Sequence, residues 1–122
     1  MKILVIDDDK VMLEAIEYSL KADGYEVITA EDGMQALEIL EKKEINLIIS
    51  DIMMPNMSGL GLLSLLKRFY FNNIPVILIS ALDKGDVILS AAGLGAVDFI
   101  VKPVNFEELS LRVKKYAATA VE

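Results

Sequence analysis

Five times along the chain a short β-rich run gives way to a longer segment with helical spacing, and this alternation limits the fold more than any other feature. Strands are expected at 3–6, 25–29, 47–50, 76–79 and 97–101. Ile3–Ile6 is a continuous apolar run, as in a strand buried on both faces, whereas Tyr25–Thr29 is less apolar and belongs at an edge. The first helix is expected over 10–21, with Met12, Ala15, Ile16 and Leu20 inward and Gly24 at its C-terminal stop. Asp32 can cap the second, which runs to about Lys43 with Ala36, Leu37 and Leu40 inward. Pro55, Asn56 and Gly59 mark a loop, followed by a helix to about Arg68 lined by Leu62, Leu63, Leu65 and Leu66 and broken at Asn72-Asn73. Asp83 can cap an Ala- and Gly-rich fourth helix through about Ala92. Asn105 can cap the fifth, with Glu108 placed as in a capping box and Phe106, Leu109, Val113 and Tyr116 at helical spacing. Alternating strand–helix units with buried strands imply an α/β fold: a parallel sheet, helices on both faces, right-handed crossovers.

The length of 122 residues suits one compact domain, taken as 1–122. With 54% apolar residues the chain can bury a substantial core. A net charge of −7 and the lack of a basic stripe argue against direct nucleic-acid binding. The absence of cysteine excludes disulfides, thiolate metal sites and thiol nucleophiles; the absence of histidine excludes a histidine triad, general base or zinc ligand. The apolar N-terminal run is too short, and too soon ended by three aspartates, to be a signal peptide or anchor. Val87–Val97 is also well short of a membrane span, so a cytoplasmic location is expected.

Four strands end in polar residues of chemical interest: Asp7-Asp8-Asp9, Asp51, Ser80, and Lys102 before Pro103. Open α/β sheets bind ligands beyond the carboxyl ends of their strands, near a switch in strand order. Singly, each residue has a plain structural reading. Asp9 serves equally well as a helix cap, Ser80 as a turn hydroxyl, Lys102 as a solvated charge. Jointly, if strands one, three, four and five are spatial neighbours, they converge on one pocket. Asp7, Asp8 and Asp51 would crowd three negative charges, which must raise a pKa or attract a cation. One divalent ion and Lys102 balance that set, and ligands that are all oxygen favour magnesium over zinc. A carboxylate nucleophile beside a cation, an ammonium and a hydroxyl suits phosphoryl chemistry.

These motifs, Ile-Leu-Val-Ile-Asp-Asp-Asp at 3–9, Asp-Ile-Met-Met-Pro-Asn-Met-Ser-Gly at 51–59, Ser-Ala at 80–81 and Lys-Pro at 102–103, resemble those of the receiver domain of bacterial response regulators. The resemblance extends from Lys2 to about Tyr116. It implies a single-domain (βα)5 flavodoxin-like three-layer sandwich with parallel strand order 2-1-3-4-5, the order of chemotaxis regulators of this family. It implies a protein of two-component signal transduction that is phosphorylated on Asp51 by the phosphohistidine of a sensor histidine kinase or histidine phosphotransfer protein. It implies a Mg2+ ion held by Asp7, Asp8, Asp51 and the Met53 carbonyl. Lys102 and Ser80 would contact the phosphoryl group, Ser80 and Phe99 would form the switch, and the Lys102–Pro103 bond would be cis. The fourth helix, fifth strand and fifth helix would be the output face, serving a further output domain, a downstream protein or a homodimer. Such a domain catalyses its own phosphorylation and dephosphorylation without being a turnover enzyme. Phe99 stands where Tyr is more frequent, Ser58 where Asp is common, and Val104 where Phe is common. Met53 and Leu82 occupy positions that tune phosphoryl lifetime; both are apolar, which implies that dephosphorylation is not especially fast.

Three other readings stay open at this level. A pseudo-receiver would keep the fold without phosphorylation. The Asp-x-Asp element after the first strand suggests a haloacid-dehalogenase-like phosphatase, although the motif does not continue. A flavodoxin-like FMN binder would need a Ser-, Thr- and Gly-rich phosphate loop where three aspartates stand.

Overall fold

The structure, a computed structural model, describes residues 1–54, 57–68, 73–81 and 85–120, and for Asp86 and residues 118–120 the backbone only. Its elements alternate: β1 (Lys2–Ile6), α1 (Lys10–Ala22), β2 (Glu26–Ala30), α2 (Gly33–Lys42), β3 (Leu47–Asp51), α3 (Gly59–Arg68), β4 (Val76–Ser80), α4 (Gly85–Gly93), β5 (Asp98–Val101) and α5 (Phe106–Ala120). The strands form one parallel sheet in the order β2-β1-β3-β4-β5, which is the flavodoxin-like arrangement. The polar β2 run lies at one margin, as its composition implied, and β5 at the other.

Alternation along the strands divides the core into two layers. On one face Ile3, Val5, Leu47, Ile49, Ile77, Ile79 and Ile100 pack against Leu13, Ile16 and Leu20 of α1 and Leu109 and Val113 of α5. On the other, Leu4, Ile6, Ile48 and Leu78 pack against α2, α3 and Ala91 of α4. The three central strands, β1, β3 and β4, are thus apolar on both sides, which fixes their register firmly. Phe99 lies half-buried against the α2–α4 layer.

The helix ends use the expected local chemistry. Asp9 accepts from the Val11 and Met12 amides, Asp32 from Gln35 and Asn105 from Glu108, each satisfying donors that a helix start leaves free. The Glu108 side chain pairs with Arg112. Gly24 follows α1 with φ of 94°, a backbone region few other residues tolerate. Leu13, outside the set expected inward on α1, is buried, and Phe106, which shares the helical spacing of Leu109 and Val113, is 37% exposed at the start of α5. The expected turn at Pro55-Asn56, the break at Asn72, the Asp83 cap and Leu82 lie outside the described residues.

Candidate functional site

Strand order puts the ends of β1, β3, β4 and β5 side by side, and the polar residues there meet at the carboxyl rim of the sheet. β1 lies between β2 and β3 although β2 follows it in sequence; this reversal opens a crevice at the top of β1 and β3. Asp7 leaves β1 buried, its Oδ1 accepting from the Asp9 amide at 2.9 Å. Asp8 is exposed beside it. Asp51 closes β3 with only 5% of its surface accessible, and its Oδ1 accepts from the Met53 amide at 3.3 Å. The Met53 side chain points into solvent.

Lys102 reaches back from the end of β5 across β4. Its Nζ lies 3.1 Å from Asp51 Oδ2 and 3.4 Å from Asp7 Oδ2. The Lys102–Pro103 bond is cis, as the resemblance implied. Ser80, at the end of β4, is fully buried and pairs with β5 opposite Val101.

Electrostatics follow from this crowding. Burial pushes the Asp7 carboxyl above its ordinary pKa, the nearby Asp51 charge adds to the rise, and the Asp9 amide and Lys102 only partly offset it. For Lys102, burial alone would lower the pKa, but the Asp51 and Asp7 carboxylates outweigh it and the net shift is upward. Lys102 therefore stays protonated, one ammonium shared between two carboxylates.

Oxygens of Asp7, Asp8 and Asp51 all lie within 4.8 Å of one another. Oxygens at about 2.1 Å around one octahedral magnesium ion lie about 3.0 Å apart when adjacent and about 4.2 Å when opposite, so the three need close by at most about 2 Å to share one. The donor set fits: it is entirely oxygen, carries surplus negative charge, and has one member open to solvent.

Of the residues expected to converge, Asp7, Asp8, Asp51 and Lys102 do so, and Ser80 lies buried at the end of the strand between those of Asp51 and Lys102. Sequence reasoning passed over two neighbours of Asp51. Ser50, fully buried, donates its hydroxyl to the Asp51 carbonyl at 3.0 Å. Gly59, read as a loop marker and as the last residue of the 51–59 motif but given no role, sits so close that a Cβ there would lie 2.3 Å from the same carbonyl oxygen. The signal for Ser50 was a hydroxyl interrupting an apolar strand one residue before the carboxylate; nothing local marked the close approach of Gly59.

Fold and rim together define a doubly wound α/β signalling domain with an acidic pocket and one lysine at its switch point. The chain belongs to the response regulator receiver domain family, whose family model matches residues 3–114. It is similar to the probable transcriptional regulator ycf27 of Porphyridium aerugineum, 38% identical over 113 residues that make up 93% of this chain and 46% of the relative. The chain spans about half the length of the curated relatives it matches. Among solved structures it resembles the receiver domain of the Francisella response regulator 1452, with a TM-score of 0.91, 34% identity, and coverage of 97% of this chain and 98% of that one. It also resembles the Thermotoga maritima response regulator TrrA, solved in complex with Mg2+-BeF, with a TM-score of 0.84, 35% identity, and coverage of 94% and 97%. No helix among the described residues is long and apolar enough to cross a membrane.

Proposed function

We propose that Asp51 accepts a phosphoryl group from a phosphohistidine on a partner histidine kinase or histidine phosphotransfer protein. The observation that carries this reading is the Lys102 ammonium 3.1 Å from the Asp51 carboxylate, within a cluster that also contains Asp7 and Asp8. Asp51 oxygen attacks phosphorus in line, the bond from phosphorus to the donor imidazole nitrogen breaks, and an acyl phosphate forms. The chain has no histidine of its own, so the donor comes from another protein or domain. Lys102 stabilises charge on the equatorial phosphoryl oxygens from a position fixed before the reaction begins. Asp7, Asp8, Asp51 and the Met53 carbonyl would hold Mg2+, which supplies further neutralisation of the phosphoryl charge when bound.

Ser80 is the hydroxyl that bonds the acyl phosphate, and Phe99 fills the space this movement opens. The coupling biases an existing equilibrium by about 1–3 kcal/mol, the usual range for allosteric communication. The α4–β5–α5 surface then meets an output domain, a downstream protein or a second copy. We assign no catalytic turnover to the chain beyond its own phosphorylation and dephosphorylation, and we place its work in the cytoplasm. Support comes from the family membership and from the Mg2+-BeF complex of the TrrA relative.

The test supplies a small-molecule phosphodonor and Mg2+ and follows intact mass. Wild type is expected to gain one phosphoryl group, and Asp51→Asn to gain none. No gain by wild type, or equal gain by the variant, refutes the assignment.

A further inference from the structure

The backbone carbonyl of Asp51 is held in an unusual way. The β1–β3 ladder ends at the Ile6–Ser50 pair, one residue before Asp51. In a parallel ladder the next rung would bring an amide from β1 to the Asp51 carbonyl. Here β1 has already ended at Ile6: the Asp7 amide completes the β1–β2 ladder by donating to Ala30, and the amide in line to continue the rung to β3 is that of Asp8, beyond the strand. The donor at the Asp51 carbonyl is instead the Ser50 hydroxyl, at 3.0 Å and fully buried. On the β4 side the chain is still pinned, because the Ile52 amide donates to Ile79. Below, the Gly59 amide donates to the Ile52 carbonyl at 2.9 Å, and the bare Gly59 Cα leaves room for the Asp51 carbonyl that no side chain would.

We propose that Ser50 is a positioning residue for phosphoryl acceptance, acting through the Asp51 carbonyl, which its hydroxyl and the close approach of Gly59 hold in place where the β1 ladder has run out. The inference rests on Asp51 being the phosphoacceptor. The hydroxyl touches neither substrate nor metal. It fixes the peptide from which the Asp51 side chain departs, and so the carboxylate's approach to phosphorus and its distance to Lys102. A buried carbonyl that loses its donor seeks another, and the peptide rotates to find it. Misplacement of a reacting group by about 1 Å can slow a reaction by about 100-fold.

The experiment measures phosphorylation by acetyl phosphate at saturating Mg2+ in the whole 122-residue chain. It compares wild type with Ser50→Ala, Gly59→Ala and the control Ser110→Ala, whose hydroxyl bonds Asp23 on the α1–α5 side of the molecule. Rates are taken per folded molecule, with folding checked by far-ultraviolet circular dichroism. Ser50→Ala is expected to lower the maximal rate by roughly 10-fold or more, with little change in the acetyl phosphate concentration at half-maximal rate. Gly59→Ala is expected to do the same by a steric route, and Ser110→Ala to match wild type. A purely structural role for Ser50 would lower the melting temperature and leave the rate per folded molecule alone. A maximal rate for Ser50→Ala within twofold of wild type overturns the proposal; should that variant not fold, a Gly59→Ala rate within twofold of wild type overturns it. If wild type itself gains no phosphoryl group, the phosphoacceptor reading fails and takes this one with it; a phosphorylated wild type with an equally fast Ser50→Ala overturns the positioning role alone.

Discussion

At the scale of single residues, the rim holds more negative charge than the fold alone would favour. Asp7 is buried beside Asp51 and its ionised form is disfavoured, so its carboxyl titrates above the ordinary range. A folded-state pKa raised above the unfolded one contributes stability at low pH that is lost as pH rises through the folded value. In metal-free buffer Asp7→Asn should therefore melt a few degrees above wild type near pH 7, because Asn keeps an oxygen for the Asp9 amide while removing the charge. That advantage should shrink as pH falls through the raised folded-state pKa of Asp7 and be gone at the ordinary carboxylate value. Calorimetry with a chelator between pH 4 and pH 8 checks this, and a variant less stable than wild type at neutral pH would contradict it. The clustered carboxylates and Lys102 were legible in sequence because each stands at the end of an apolar strand. Ser50 was not, because its importance depends on where a neighbouring strand stops, and strand ends are fixed only by the assembled ladder.

Among the elements, the strands were the most legible. Burial on both faces leaves β1, β3 and β4 nearly free of polar residues, and the run itself gives them away. Helix faces were less sharply drawn. Helical spacing groups Phe106 with Leu109, Val113 and Tyr116, yet spacing does not say how far toward its N-terminus a helix is covered by the sheet. α5 settles it: Leu109 and Val113 are fully buried, Phe106 stands over the edge of α1, and the Tyr116 hydroxyl donates to the Val97 carbonyl just before β5. Leu109→Ala should accordingly cost about 2–5 kcal/mol, the range for emptying a buried leucine site. Phe106→Ala should cost less than Leu109→Ala, since 37% of Phe106 is already exposed whereas Leu109 is fully buried. Urea unfolding of the two variants separates them, and equal losses would mean that the coverage of α5 begins a turn earlier. The strand order itself came from the family resemblance, because alternating units state which elements exist and not which strands lie together.

For the molecule as a whole, a divalent cation and the folded chain should stabilise each other. The three carboxylates meet only when β1 and β3 are paired, so the unfolded chain offers no comparable site. A ligand bound solely by the folded state adds about 2.7 kcal/mol at 100 times its Kd. Added Mg2+ should raise the melting temperature of wild type, a chelator should reverse the rise, and Asp8→Asn should abolish most of it. No response by wild type would remove the cation from the mechanism. The same assembly has a mechanical side. Lys102 hangs from the outermost strand, whereas the carboxylates it holds hang from the middle of the sheet. Sliding β5 by a single residue, about 3.3 Å, would carry the ammonium out of reach of both. The margin of the sheet is thus a lever whose short arm ends on Asp51, and any molecule that grips the outer margin pulls on that carboxylate as surely as a change at the carboxylate pushes back on it.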